Sequence, residues 1–123
     1  MAGRHILVVD DDPLFAEATG ELFRSAGFQV SVATHFNPAL EILEAQPPVA
    51  LLITDLVMPS SINGIALGRM ARIRQPDIQV VYVTAFDIPR AKELALGPIL
   101  RKPIDDAVLI EKAVEVLASN SPD

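Results

Sequence analysis

The chain has no cysteine, no tryptophan, one tyrosine and five phenylalanines among its 123 residues. Without cysteine there are no disulfides, no thiol nucleophile and no Cys-based zinc site. Its two histidines, His5 and His35, lie far apart and lack ligand spacing. Positive charge is also scarce, with 10 Lys and Arg against 16 Asp and Glu and a net charge of −6. A nucleic-acid partner is therefore not expected, because phosphate-backbone binding calls for a basic face. A cation or a basic protein surface is the natural counterpart. No apolar run approaches the ~20 residues of a membrane span, and the N-terminus carries no signal-peptide pattern. A cytoplasmic protein without membrane contact is the expectation. No glycine-rich phosphate loop follows the first apolar run, which argues against a nucleotide-binding protein.

Half the residues are hydrophobic, enough for an aliphatic, alanine-rich core in one domain spanning residues 1–123. The chain alternates short apolar runs with helical patterns. His5 to Val9 is a strand ending in Asp10, Asp11 and Asp12, and Asp12 caps a helix from Pro13 to about Ala26, closed by Gly27. Leu14 or Phe15, Ala18, Leu22 and Ala26 form its apolar stripe. Gln29 to Thr34 alternates like an edge strand, and Asn37 and Pro38 open a second helix that Pro47 and Pro48 close. Ala50 to Ile53 leads to Asp55, after which the chain turns away through Met58 and Pro59. A third helix follows from about Ile65 to Arg74, with Ala66, Met70 and Ile73 inward. Gln79 to Thr84 is a fourth strand with Tyr82 in the core, and Pro89 to Leu96 a helix of about two turns. Ile99 to Arg101 is a brief fifth strand, and Asp106 to Ala118 a helix facing inward through Leu109, Ala113, Val116 and Leu117. Five strands alternating with five helices over short connections predict an α/β fold, a parallel sheet with helices on both faces.

Open α/β sheets keep their sites at the carboxyl edge of the strands, and Asp10, Asp11, Asp55, Thr84 and Lys102 all stand at strand ends there. Phosphoryl transfer onto a carboxylate needs an exposed Asp, a divalent cation and fixed donors for the phosphoryl oxygens. The three acids supply oxygen ligands suited to Mg²⁺, Thr84 a hydroxyl and Lys102 a mobile ammonium.

The runs ILVVDDDP, TDLVMP, VTA and RKP, in that order, resemble the receiver domain of two-component response regulators over nearly the whole chain. The resemblance implies a flavodoxin-like (βα)5 three-layer sandwich with strand order 2-1-3-4-5, and Asp55 as phosphoacceptor. It implies Mg²⁺ as cofactor, held by Asp11, Asp55, the backbone carbonyl of Val57, and Asp10 through water. Thr84 and Lys102 would contact the phosphoryl group, and the Lys102–Pro103 peptide would be cis. The implied donor is a phosphohistidine on a sensor histidine kinase or histidine phosphotransfer protein, with a further protein as downstream target.

Three departures stand out. Ile99 replaces the usual switching aromatic, the Ala85 to Gly97 segment is short, and the Pro59 to Gly64 loop is one residue longer than common. Val57 and Phe86 are apolar where receivers orient the hydrolytic water, which predicts a long-lived phosphoryl group. Two other readings are an unphosphorylated binding module of the same shape and a Mg²⁺-dependent phosphatase. The second needs an acid two residues after Asp55, where this chain has Val57.

Overall fold

A computed structural model describes residues 4–45, 47–57, 64–87 and 91–119. The strands are β1 (His5–Val9), β2 (Gln29–Ala33), β3 (Leu51–Asp55), β4 (Gln79–Thr84) and β5 (Ile99–Arg101). The helices are α1 (Pro13–Ser25), α2 (Phe36–Glu44), α3 (Gly64–Arg74), α4 (Ala91–Leu94) and α5 (Asp106–Ser119). All strand pairs are parallel, in the order β2-β1-β3-β4-β5. This is the expected α/β three-layer architecture.

The central strands read as unbroken apolar runs because both faces of the sheet are covered. Ile6, Val8, Leu51, Ile53, Val81 and Val83 pack with α1 and α5 on one side. Leu7, Val9, Leu52, Val80 and Tyr82 pack with α2, α3 and α4 on the other. Each such aliphatic side chain contributes roughly 1.5–3 kcal/mol by leaving water. The edge strand β2 is only partly buried, in keeping with its alternating sequence. His5 is the polar exception within β1: it is buried, with Nδ1 3.0 Å from the Pro47 carbonyl and Nε2 2.8 Å from Ser31 Oγ. It ties β1 to β2 and to the segment entering β3.

Asp12 caps α1 as anticipated, its Oδ1 accepting from the Leu14 and Phe15 N–H groups at 3.0 and 3.5 Å. Gly27 takes the left-handed conformation (φ 99°) that ends this helix. The inward face of α1 differs from the sequence reading, however. Ala16, Thr19, Gly20 and Phe23 are buried; of the expected residues Phe15 and Leu22 pack against the core, whereas Leu14 is 83% exposed, and Ala18 and Ala26 face solvent. In α3 the buried residues are Gly64, Leu67, Gly68 and Ala71 rather than Ala66, Met70 and Ile73, and Ile73 is 77% exposed. Both helices lie close to the strands, so small residues turn inward beside one large side chain each, Phe23 in α1 and Leu67 in α3. The inward face of α5 is as expected, with Leu109, Ala113 and Leu117 buried and Val116 packed beside them.

Helix α2 begins at Phe36, one residue before Asn37, and accommodates Pro38 in its first turn, where a missing N–H costs no intrahelical bond. Helix α4 ends at Leu94 rather than Leu96; Pro89, its expected start, lies outside the described residues. The backbone after it is held by Tyr82 Oη, which accepts from Leu96 N at 3.2 Å, and by Arg69 Nη2, which donates to the Leu94 carbonyl at 3.3 Å. Met58, Pro59 and the longer loop up to Gly64 also fall outside the described residues.

Candidate functional site

The site is built by register. Val9 pairs with Thr54, so the next residues along the two central strands, Asp10 and Asp55, stand side by side. Thr84 ends β4 beside Arg101 of β5, and its carbonyl accepts from the Lys102 N–H at 2.8 Å. That bond carries Lys102 to the same edge, and the peptide that follows it, to Pro103, is cis as expected. Gly64, at the start of α3, donates its N–H to the Leu56 carbonyl at 3.0 Å. A Cβ there would fall inside the Asp55 carbonyl oxygen, so only glycine lets α3 begin this close to the acidic edge.

Asp10, Asp11 and Asp55 each place a carboxylate oxygen within 4.8 Å of the others. Asp10 is 1% exposed and Asp55 nearly as buried, while Asp11 reaches further toward solvent. Lys102 Nζ lies 2.7 Å from Asp10 Oδ2 and 3.8 Å from Asp55 Oδ2. The Asp12 N–H donates to Asp10 Oδ1 at 2.9 Å, and the Val57 N–H to Asp55 Oδ1 at 3.2 Å. Burial pushes the Asp55 carboxyl above its ordinary value of 3.8, and Asp10 adds to that rise. Lys102 and the Val57 N–H oppose it, and Asp11 reinforces it more weakly.

Three carboxylates thus face one ammonium in a half-desolvated cleft, and the ammonium leans toward Asp10. The arrangement fits a divalent cation: hard oxygen donors at one corner, an uncompensated negative charge, and a carboxyl whose proton affinity is raised by burial first and by the neighbouring carboxylates second.

Every site residue expected from the sequence lies at this edge. Asp10, Asp11 and Asp55 cluster there, and Lys102 pairs with Asp10 and Asp55. Thr84 is buried at the end of the neighbouring strand, and its Oγ1 accepts from the Phe86 N–H at 3.0 Å. Val57 meets Asp55 through its N–H. One participant was not foreseen. Phe15, expected only as a core residue, lies under Lys102 with its ring centroid 4.2 Å from Nζ. Its place in the first turn of the helix directly after the acids was the available signal.

The family profile for the response regulator receiver domain matches residues 6–114. The response regulator receiver protein CpdR of Brucella abortus is 32% identical over 108 residues, covering 86% of this chain and 82% of that protein. The transcriptional regulatory protein FixJ of Bradyrhizobium diazoefficiens is 32% identical over 119 residues, covering 89% of this chain and 56% of its own length. The chain therefore spans little more than half of that regulator. Among solved structures, a response regulator receiver protein from Sinorhizobium medicae superimposes with a TM-score of 0.89 at 23% identity, covering 97% of this chain and 98% of that one, a likeness of fold. On the profile match along most of its length and the identity to CpdR, this chain belongs to the response regulator receiver domain family.

Proposed function

We propose that this chain works as one receiver domain whose Asp55 accepts a phosphoryl group from a phosphohistidine. The donor is a sensor histidine kinase or a histidine phosphotransfer protein in the cytoplasm, and the consequence is a changed affinity for a downstream protein. The reading rests above all on the gathering of Asp10, Asp11 and Asp55 oxygens within 4.8 Å, with Lys102 Nζ 3.8 Å from Asp55.

In the transfer, an Asp55 carboxylate oxygen bonds to phosphorus as the phosphorus–nitrogen bond to histidine breaks, and the imidazole keeps the electron pair and takes up a proton. Asp10, Asp11, Asp55 and the Val57 carbonyl are the proposed Mg²⁺ ligands. When bound, Mg²⁺ supplies charge neutralisation and a template for the phosphoryl oxygens. The Val57 N–H holds Asp55 Oδ1 in place, leaving Oδ2 to attack. Lys102 moves from Asp10 toward Asp55 to pair with the new negative charge, and Thr84 turns its hydroxyl from the Phe86 N–H to a phosphoryl oxygen. Val57 and Phe86 carry no group that orients an attacking water, so the phosphoryl group is long-lived, and loss within seconds in purified protein would count against this.

The test is intact mass after incubation with acetyl phosphate, with and without Mg²⁺, on the wild type and Asp55→Asn. The expected result is a Mg²⁺-dependent gain of one phosphoryl group that the variant loses. Absence of that gain in folded protein would favour an unphosphorylated binding module, the reading that Ile99 and the four-residue α4 keep open.

A further inference from the structure

The acids hold Lys102 from one side only, and the other side is aromatic. Phe15 is half-buried against the core between α1 and α5, and its N–H is fixed by the Asp12 cap. The Lys102 ammonium stands over its ring, 4.2 Å from the centroid, and the lysine side chain is 19% exposed. A largely desolvated ammonium over an aromatic face is held by the ring's negative quadrupole, more strongly than at an exposed site. The Lys102 backbone is pinned independently, through its N–H to the Thr84 carbonyl at 2.8 Å. The ammonium, on a fixed root, therefore stands within reach of three attractors at once: Asp10 at 2.7 Å, Asp55 at 3.8 Å, and the ring.

We propose that Phe15 is a positioning residue that keeps the Lys102 ammonium at the acidic edge while it passes from Asp10 to the phosphoryl group on Asp55. The inference rests on the phosphoacceptor reading of Asp55. A charged hydrogen bond is directional and is lost when the donor moves, whereas attraction to a ring face tolerates lateral displacement. An open groove of about 550 Å³, bordered by Phe15, Ala18, Thr19, Ala85 and Ile104, gives the lysine room to move without passing through packed atoms. Without the ring, Lys102 would rest deeper on Asp10 or turn out into this groove, and the developing charge on Asp55 would meet its counterion less often.

The experiment compares Phe15→Leu, which keeps apolar bulk but removes the ring face, with Phe15→Tyr, which keeps the ring. Two readouts are taken on the whole chain, with thermal stability followed alongside. The first is the NMR shift of the Lys102 ε-methylene protons, displaced upfield by the ring current in the wild type and Phe15→Tyr and relaxed in Phe15→Leu. The second is the initial rate of Asp55 phosphorylation by acetyl phosphate at saturating Mg²⁺, which falls about three- to tenfold in Phe15→Leu and is restored in Phe15→Tyr. A wild-type rate or an unmoved Lys102 shift in Phe15→Leu overturns the proposal, as does an equal loss of rate in both variants, which would reduce Phe15 to packing. Failure of the wild type itself to take up phosphate sinks the phosphoacceptor reading and the role of Phe15 in transfer together, a result distinguishable from the failure of Phe15 alone.

Discussion

At the scale of the residue, Asp55 sets a cost that its surroundings only partly relieve. Its carboxyl binds a proton more tightly in the folded chain than in the unfolded one, because burial and Asp10 outweigh Lys102 and the Val57 N–H. Ionising it therefore opposes folding. In metal-free protein the penalty builds up as pH rises from about the ordinary value of 3.8 through the raised folded value, and it is fully present above both. Asp55→Asn is accordingly expected to raise the melting temperature at neutral pH, and the advantage should shrink as pH is lowered toward 3.8. An equal advantage at every pH, measured by calorimetry, would contradict this origin. Lys102 has the opposite role. Lys102→Met leaves the Asp10 carboxylate buried with, among the described residues, only the Asp12 N–H as hydrogen-bond partner. Urea titration should show a loss of roughly 1–3 kcal/mol; unchanged stability would mean that the ion pair does not hold Asp10.

At the scale of the element, the strands were legible and two helix faces were not, for one physical reason. Hydropathy periodicity looks for large apolar residues and assigns them inward. At Gly20 of α1 and Gly68 of α3 the strands supply the bulk and the helices supply the space. A Cβ on Gly20 would come within 2.9 Å of Val32 Cγ2, and one on Gly68 within 2.6 Å of Tyr82 Oη. Ile73 is left outside, although its size marked it for the core, and of the alternatives Leu14 and Phe15 it is Phe15 that packs inward. This close packing is testable as a coupled pair. Gly68→Ala should destabilise by about 1–3 kcal/mol through overpacking. Tyr82→Phe should cost about 0.5–1.5 kcal/mol through the bond lost from Leu96 N. The double variant should cost less than the sum, because removing the hydroxyl makes room for the methyl group. Additive losses would show that the hydroxyl does not set the approach of α3 to β4. Helix α5 and the cap of α1 were readable because their signals are local: a regular apolar stripe, and an Asp before a Pro.

At the scale of the whole molecule, alternation of apolar runs with helical patterns was enough to foresee a parallel sheet, and the resemblance of four motifs foresaw its strand order. The acids and Lys102 were legible because each ends a strand, and a parallel sheet brings strand ends to one edge. What the sequence could not show was how the charges settle: Lys102 on Asp10 rather than Asp55, Thr84 on the Phe86 N–H, and Phe15 beneath the ammonium. These depend on side-chain placement across elements as far apart as residues 10 and 102. If the acidic edge holds Mg²⁺ as proposed, overall stability is expected to respond to that cation. A ligand at a hundred times its dissociation constant stabilises a fold by about 2.7 kcal/mol, and by more as its concentration rises, so Mg²⁺ titration should raise the melting temperature of the wild type progressively. The same titration of Asp11→Asn should give a much smaller rise, and an equal rise in both would place the cation elsewhere.

The most direct test of the central claim is chemical localisation of the phosphoryl group. Borohydride reduces an aspartyl phosphate to homoserine, which peptide mapping assigns to a position. After treatment with acetyl phosphate and Mg²⁺, homoserine is expected at position 55 and at neither Asp10 nor Asp11. Homoserine at one of those acids, or none in protein shown to be folded, would contradict the assignment of Asp55 as the phosphoacceptor.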